Sequence, residues 1–212
     1  MNKSAIGMLG GTFDPVHNGH IHLAMFVYNA LQLRELRLIP CNRPLLRGAT
    51  TASAEQRLRM VQLAVIDYPG LIVDDRELQR GGYSYTIDTL LSMRDEDAQT
   101  PLCLIVGIDQ FSHFQQWRNW QQIMELVHVI VTTRTGYTFI PNPEVAALLA
   151  QRQTQDSNLL KTQSGGAVFF LEVAPLPISG TEIRARLHEG QDVSAQLPPK
   201  VWEYICENKL YR

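Results

Sequence analysis

The stretch Gly10-Gly11-Thr12-Phe13-Asp14-Pro15-Val16-His17-Asn18-Gly19-His20 leaves a short apolar run, Ala5 to Leu9, and enters a segment of helical spacing that reaches about Leu33. Strand, glycine-bearing turn and helix in that order open an α/β fold. The glycines remove side chains where a ligand would approach the backbone. A helix start offers unpaired N–H groups and the positive end of a dipole, which together favour bound phosphate. His17 and His20 are three apart, so both imidazoles project from one face of a first helical turn. Two ring donors at that place suit a phosphate whose charge grows in a transition state.

Working outward, short apolar runs recur at Leu36 to Ile39, Leu71 to Val73, Leu102 to Val106, His128 to Thr132 and Val168 to Leu171, and each reads as a buried strand. Helical spacing lies between them. Leu58, Val61 and Val65 follow a Ser53-x-x-Gln56 capping box. Near-continuous apolar strands alternating with helices predict an α/β fold, a doubly wound, mostly parallel sheet covered on both faces. Residues 136–166 read as a helix started at Pro143 plus a loop. The whole of 1–212 reads as a single domain, with about 179–212 as a C-terminal helical portion.

Composition narrows the class. Of 212 residues, 45% are hydrophobic and 19% charged, the balance of a packed globular enzyme rather than a disordered chain. A formal charge of −2 without a long Lys/Arg run argues against a nucleic-acid partner. Cys41, Cys103 and Cys206 are odd in number and widely spaced, so no disulfide framework or cysteine zinc site is predicted and a cytoplasmic location is expected. No run reaches the roughly 20 apolar residues of a membrane span, so no membrane association is expected.

A second constellation is Ile178-Ser179-Gly180-Thr181-Glu182-Ile183-Arg184. Ser179-x-x-Glu182 is another capping box, so the plain reading is an ordinary capped helix. Beyond it stands the bunching of Ser179, Thr181 and Arg184, which supplies hydroxyl, amide and guanidinium donors for an anionic chain such as a triphosphate. The Walker loop and the dinucleotide fingerprint are both absent. His-x-x-His could chelate zinc, but no third ligand of suitable spacing stands out, and no resident metal is expected.

Together the two segments resemble the HxGH nucleotidyltransferases, and end to end the chain resembles the bacterial nicotinate-mononucleotide adenylyltransferase family. The likeness continues through Ser84-Tyr85-Thr86, Gly107-Ile108-Asp109, Trp117 and Leu210-Tyr211-Arg212. It implies a Rossmann-like fold and a reaction in which the 5′-phosphate of the mononucleotide attacks the α-phosphorus of ATP. It implies His17, His20 and Arg184 as the catalytic set, with His17 and His20 on the ATP phosphates and Ser179, Thr181 and Arg184 on the β and γ groups. Gly10, Gly11, Thr12, Phe13, Gly107 and Ile178 would line the ATP site. Asp109 would meet a ribose or help place Mg²⁺, which would ride mainly on the triphosphate. For the acceptor the resemblance implies Trp117 as the stacking residue and Thr86, beside Tyr85, as part of the ring-carboxylate site. Arg118 belongs to the same mononucleotide set. Asn42, Arg47 and Arg134 follow strands and are candidates for the mononucleotide phosphate.

This chain departs from the family pattern at Leu46-Arg47, at Thr133 and Thr135, and at Arg118, all on the acceptor side. Nicotinamide mononucleotide or phosphopantetheine stand as alternative acceptors. A noncatalytic nucleotide sensor and a redox Rossmann enzyme are the rival classes.

Overall fold

The computed structural model describes residues 4–44, 50–134, 139–174 and 176–212. The elements run β1 (Ile6–Gly11), α1 (Asn18–Ala30), β2 (Glu35–Pro40), α2 (Ala54–Val65), β3 (Leu71–Val73), α3 (Arg76–Arg80), α4 (Thr86–Glu96), β4 (Leu102–Gly107), α5 (Ile108–Phe111), α6 (Trp120–Leu126), β5 (His128–Thr133), α7 (Pro143–Arg152), β6 (Gln153–Thr154), α8 (Leu159–Thr162), β7 (Val168–Glu172), α9 (Gly180–His188) and α10 (Pro199–Glu207). Turns of 3-10 helix lie at Phe114–Gln116 and Ser194–Gln196.

All six apolar runs are strands. The described strands form one sheet in the order β3-β2-β1-β4-β5-β7-β6. β4 pairs in parallel with β1 and β5, and β7 pairs in parallel with β5 and β6. The chain lays β2 and β3 on one side of β1 and then crosses to β4 on the other. β1 therefore ends at the reversal of strand order, where open α/β sheets bind ligands. Two expectations need correction. α1 stops at Ala30, short of Leu33, because Gln32 takes a left-handed backbone (φ +50°) while the N–H groups of Gln32 and Leu33 return to the carbonyls of Asn29 and Tyr28. In 136–166 the helix begins at Pro143 as expected, but the rest also holds the two-residue β6 and the short α8.

Contacts divide the chain into two compact units, one of Met1–Leu9, Phe26–Leu36 and Tyr85–Ala174, the other of Gly10–Met25, Arg37–Ser84 and Pro175–Arg212. In the first unit β4 and β5 are buried along nearly their whole length, as strands covered on both faces must be. Phe111, Phe114, Ile123 and Met124 pack there with less than 3% exposure, so this is its solid core. In the second unit α10 packs on α2, and Met60, Val61, Val201 and Ile205 are buried. Among the described residues no helix is long and apolar enough to cross a membrane.

Candidate active site

β1 delivers its last glycines into the HxGH turn, and this turn is built within the second unit. Phe13 adopts a left-handed backbone (φ +50°) that a non-glycine residue holds only when its surroundings fix it. The Phe13 ring lies where a Cβ on Gly11 would stand, with its atoms 2.9–3.1 Å from that position. Only glycine at 11 lets the ring fold back over the strand end. From there Phe13 meets His20 edge-on, ring centroids 5.0 Å apart.

His17 and His20 stack at 3.7 Å between ring centroids, with an interplanar angle of 26°. Their three-residue spacing on the first turn of α1 brings them together as expected. The backbone N–H of His17 donates to Nδ1 of His20 at 3.2 Å. A neutral His20 ring therefore carries its proton on Nε2. His17 is buried, and burial pulls its pKa down from 6.5 to about 4, so at neutral pH its imidazole is uncharged. Its Nδ1 is buried and has no hydrogen-bond partner among the described residues. A Cβ at Gly19 would lie 3.0 Å from that nitrogen, so the glycine leaves the ring its room.

The second constellation joins this turn. Ser179 caps α9 by accepting the N–H of Glu182 at 3.2 Å, the forward bond of the expected box. Nη1 of Arg184 donates to the carbonyl of Asp14 at 2.6 Å, and Nη2 donates to the Thr181 hydroxyl at 3.4 Å. A Cβ at Gly180 would stand 3.6 Å from the same Asp14 carbonyl oxygen. Ile178 lies against Gly19, its Cβ 3.7 Å from where a glycine side chain would begin. So the stacked imidazoles, the start of α9 and the Arg184 guanidinium share one neighbourhood.

Three residues that hold this neighbourhood carry no sequence-level assignment. The Asp14 carboxylate is buried and accepts the N–H groups of Thr51 at 2.9 Å and Ala52 at 3.1 Å and the hydroxyl of Tyr211 at 2.7 Å. Arg57, fully buried, donates to the carbonyl of Thr12 at 2.7 Å and that of Asn42 at 2.8 Å, linking the loops that follow β1 and β2. The signal for Arg57 was present. The buried stripe of α2 is Arg57, Met60, Val61 and Ala64, rather than the Leu58, Val61, Val65 spacing, and an arginine inside an apolar stripe needs internal partners. Tyr211 lies 197 residues from Asp14, and no local pattern encodes that pairing.

The acceptor-side candidates, and with them Gly107 and Asp109 of the ATP set, are distributed. Asn42 belongs to the second unit, where its N–H donates to the Ser84 hydroxyl and its side-chain amide to the Gly82 carbonyl, both at 2.9 Å. Tyr85, Thr86, Gly107, Asp109, Trp117, Arg118 and Arg134 belong to the first unit. There the Arg118 guanidinium lies 4.7 Å over the Tyr85 ring and 3.9 Å from the Asp88 carboxylate. Trp117 is half-buried against Phe114, centroids 5.4 Å apart, which leaves part of the indole open. Gly107 and Asp109 are exposed where β4 ends and α5 begins, and Arg134 is exposed after β5. Leu46, Arg47 and Thr135 lie outside the described residues.

The Cytidylyltransferase-like family matches residues 8–186. A probable nicotinate-nucleotide adenylyltransferase of Aeromonas hydrophila is 42% identical over 212 residues, covering 100% of this chain and 99% of that protein. One from Methylococcus capsulatus is 42% identical over 207 residues, covering 97% and 99%. Among solved structures, Plasmodium falciparum nicotinic acid mononucleotide adenylyltransferase complexed with NaAD superposes with a TM-score of 0.74 at 16% identity, over 98% of this chain and 97% of that one. The last likeness shows the fold. With full-length identity above 40% in the first two, this chain belongs to the nicotinate-nucleotide adenylyltransferase family of cytidylyltransferase-like proteins.

Proposed function

We propose that this chain transfers the adenylyl group of ATP to nicotinate mononucleotide, forming nicotinate adenine dinucleotide and pyrophosphate in NAD biosynthesis. A phosphate oxygen of the mononucleotide forms a bond to the α-phosphorus, the bond to the β-phosphate bridging oxygen breaks, and pyrophosphate leaves with that electron pair. The attacking phosphate is already ionised, so no general base is required. The protein's task is positioning and charge stabilisation.

The observation that carries this reading is the stacked pair His17 and His20 at the start of α1, beside an Arg184 anchored on Asp14. His20, its Nδ1 occupied, presents Nε2–H to the α-phosphate as charge develops there. His17 stands next to it as an uncharged imidazole, and the amides at the helix start add fixed dipoles. Ser179, Thr181 and Arg184 hold the β and γ phosphates, while Gly10, Gly11, Thr12, Phe13, Gly107 and Ile178 line the ATP site. Among the described residues no group of three His, Cys, Asp or Glu side chains could hold a metal by itself, and the reading has Mg²⁺ arrive on the triphosphate, with Asp109 as the carboxylate that meets it or the ribose. Trp117 stacks on the pyridine ring, with Tyr85, Thr86 and Arg118 around it. Asn42, Arg47 and Arg134 are the donors for the mononucleotide phosphate.

The test is to incubate the protein with ATP, Mg²⁺ and, separately, nicotinate mononucleotide, nicotinamide mononucleotide or phosphopantetheine, following pyrophosphate release. Fastest release with nicotinate mononucleotide is expected, and release with phosphopantetheine alone overturns the reading. His20→Ala is expected to lower kcat about a hundredfold or more while ATP binding changes far less. Loss of ATP affinity without any turnover to lose would make the chain a sensor.

A further inference from the structure

We propose that Tyr211 is a positioning residue for the triphosphate anchor Arg184, acting through Asp14. This rests on the reading in which Arg184 holds the β and γ phosphates. Asp14 uses two different groups for two tasks. Its carboxylate is pinned from three directions, by the amides of Thr51 and Ala52 and by the Tyr211 hydroxyl, and its backbone carbonyl accepts Nη1 of Arg184. The amides fix the carboxylate to the segment leading into α2. The hydroxyl is the one side-chain donor among these three, and it shares Oδ1 with Ala52. Removing it leaves Asp14 held by the two amides alone, and the carbonyl that aims Arg184 is then less firmly placed.

Three further observations favour a built contact over incidental packing. Tyr211 is 6% exposed, so its hydroxyl has little access to water as a substitute partner. Lys209 and Tyr211 both take left-handed backbone, φ +52° and +66°, a conformation that costs a non-glycine residue energy and persists where contacts hold it. Burial and the neighbouring Asp14 carboxylate push the Tyr211 pKa well up, so the hydroxyl remains a donor throughout the working range. The role is one of positioning: the hydroxyl acts on the Asp14 carboxylate, and in this reading it is the guanidinium that meets the phosphates.

Tyr211→Phe keeps the ring and deletes only the donor. In the full chain it is expected to lower kcat/KM for ATP about fivefold to tenfold, less than the loss of a direct hydrogen bond to a charged group because the effect is relayed through Asp14. KM for the acceptor should stay close to the wild-type value, and the melting temperature should fall by only a few degrees. In an Arg184→Ala background the same change should alter kcat/KM for ATP by less than about twofold, because its route of action is gone. An unchanged kcat/KM for ATP in Tyr211→Phe, or the full loss repeated in the Arg184→Ala background, overturns the proposal. If the wild-type chain releases no pyrophosphate with any acceptor, the functional reading has failed instead. Tyr211 is then judged by equilibrium binding of ATP: weaker binding that depends on Arg184 supports the role, and equal binding ends it.

Discussion

At the scale of single residues, His17 couples the site to folding stability. Its pKa drops from 6.5 to about 4 on burial, so the folded protein resists taking a proton that the unfolded chain accepts readily. The sign follows: the stability due to the uncharged ring is intact above pH 6.5 and is lost as pH falls through the interval down to 4. A shift of that size corresponds to about 3 kcal/mol. His17→Gln is expected to flatten the acid limb, seen as urea midpoints that decline less than those of the wild type between pH 6.5 and 4. Parallel declines would show that another group carries the acid sensitivity. The sequence made the two histidines and Arg184 legible because their chemistry is written in local spacing. It did not make Arg57 legible by type, since an arginine on a helix is ordinarily solvated and only its place in a buried stripe says otherwise. Asp14 stood in the quoted stretch with no role of its own. Its three distant donors are set by tertiary structure alone.

At the scale of elements, Arg94 shows how the first unit closes helix ends without glycine. From α4 it donates to the carbonyl of Leu126 at the end of α6, to Thr100 at 2.7 Å and to Ser164 at 2.7 Å. The Ser164 carbonyl also accepts the N–H of Leu102 at 3.2 Å, and the side-chain cation adds its donors to all three. Arg94→Ala is expected to cost about 2–3 kcal/mol, which for a chain of this size lowers Tm by roughly 4–12 °C. Arg94→Met, keeping the apolar stem, should recover little if the hydrogen bonds dominate; substantial recovery would assign the effect to packing. Strands and capped helices were readable from sequence where the pattern is dense, as in Leu102 to Val106 and Ser53-x-x-Gln56. β6 was not, since Gln153 and Thr154 carry no apolar alternation and are strand only through pairing with Val168 and Phe169. The end of α1 was overshot because Leu31 and Leu33 continue the apolar content while Gln32 alone turns the backbone.

At the scale of the molecule, alternation of strand and helix made the parallel α/β class readable, but the order of strands was not. β7 pairs with both β5 and β6, although β6 precedes it in the chain, and that insertion depends on which edge the returning chain finds covered. Each compact unit is assembled from three separated stretches of sequence, interleaved with those of the other. Neither can be cut out as one continuous piece. The chain is therefore expected to melt in one calorimetric transition with van't Hoff and calorimetric enthalpies in agreement. Two resolved transitions would mean that the units lose structure independently.

The bonds from Asp14 to Arg184 and Tyr211 span 170 and 197 residues. During synthesis the histidine-bearing turn is made well before either of these partners. A nascent chain with a formed first strand and helix thus has imidazoles but no anchored guanidinium beside them. The bond that holds the guanidinium on this turn waits for residue 184, and the hydroxyl of Tyr211 reaches its carboxylate later still.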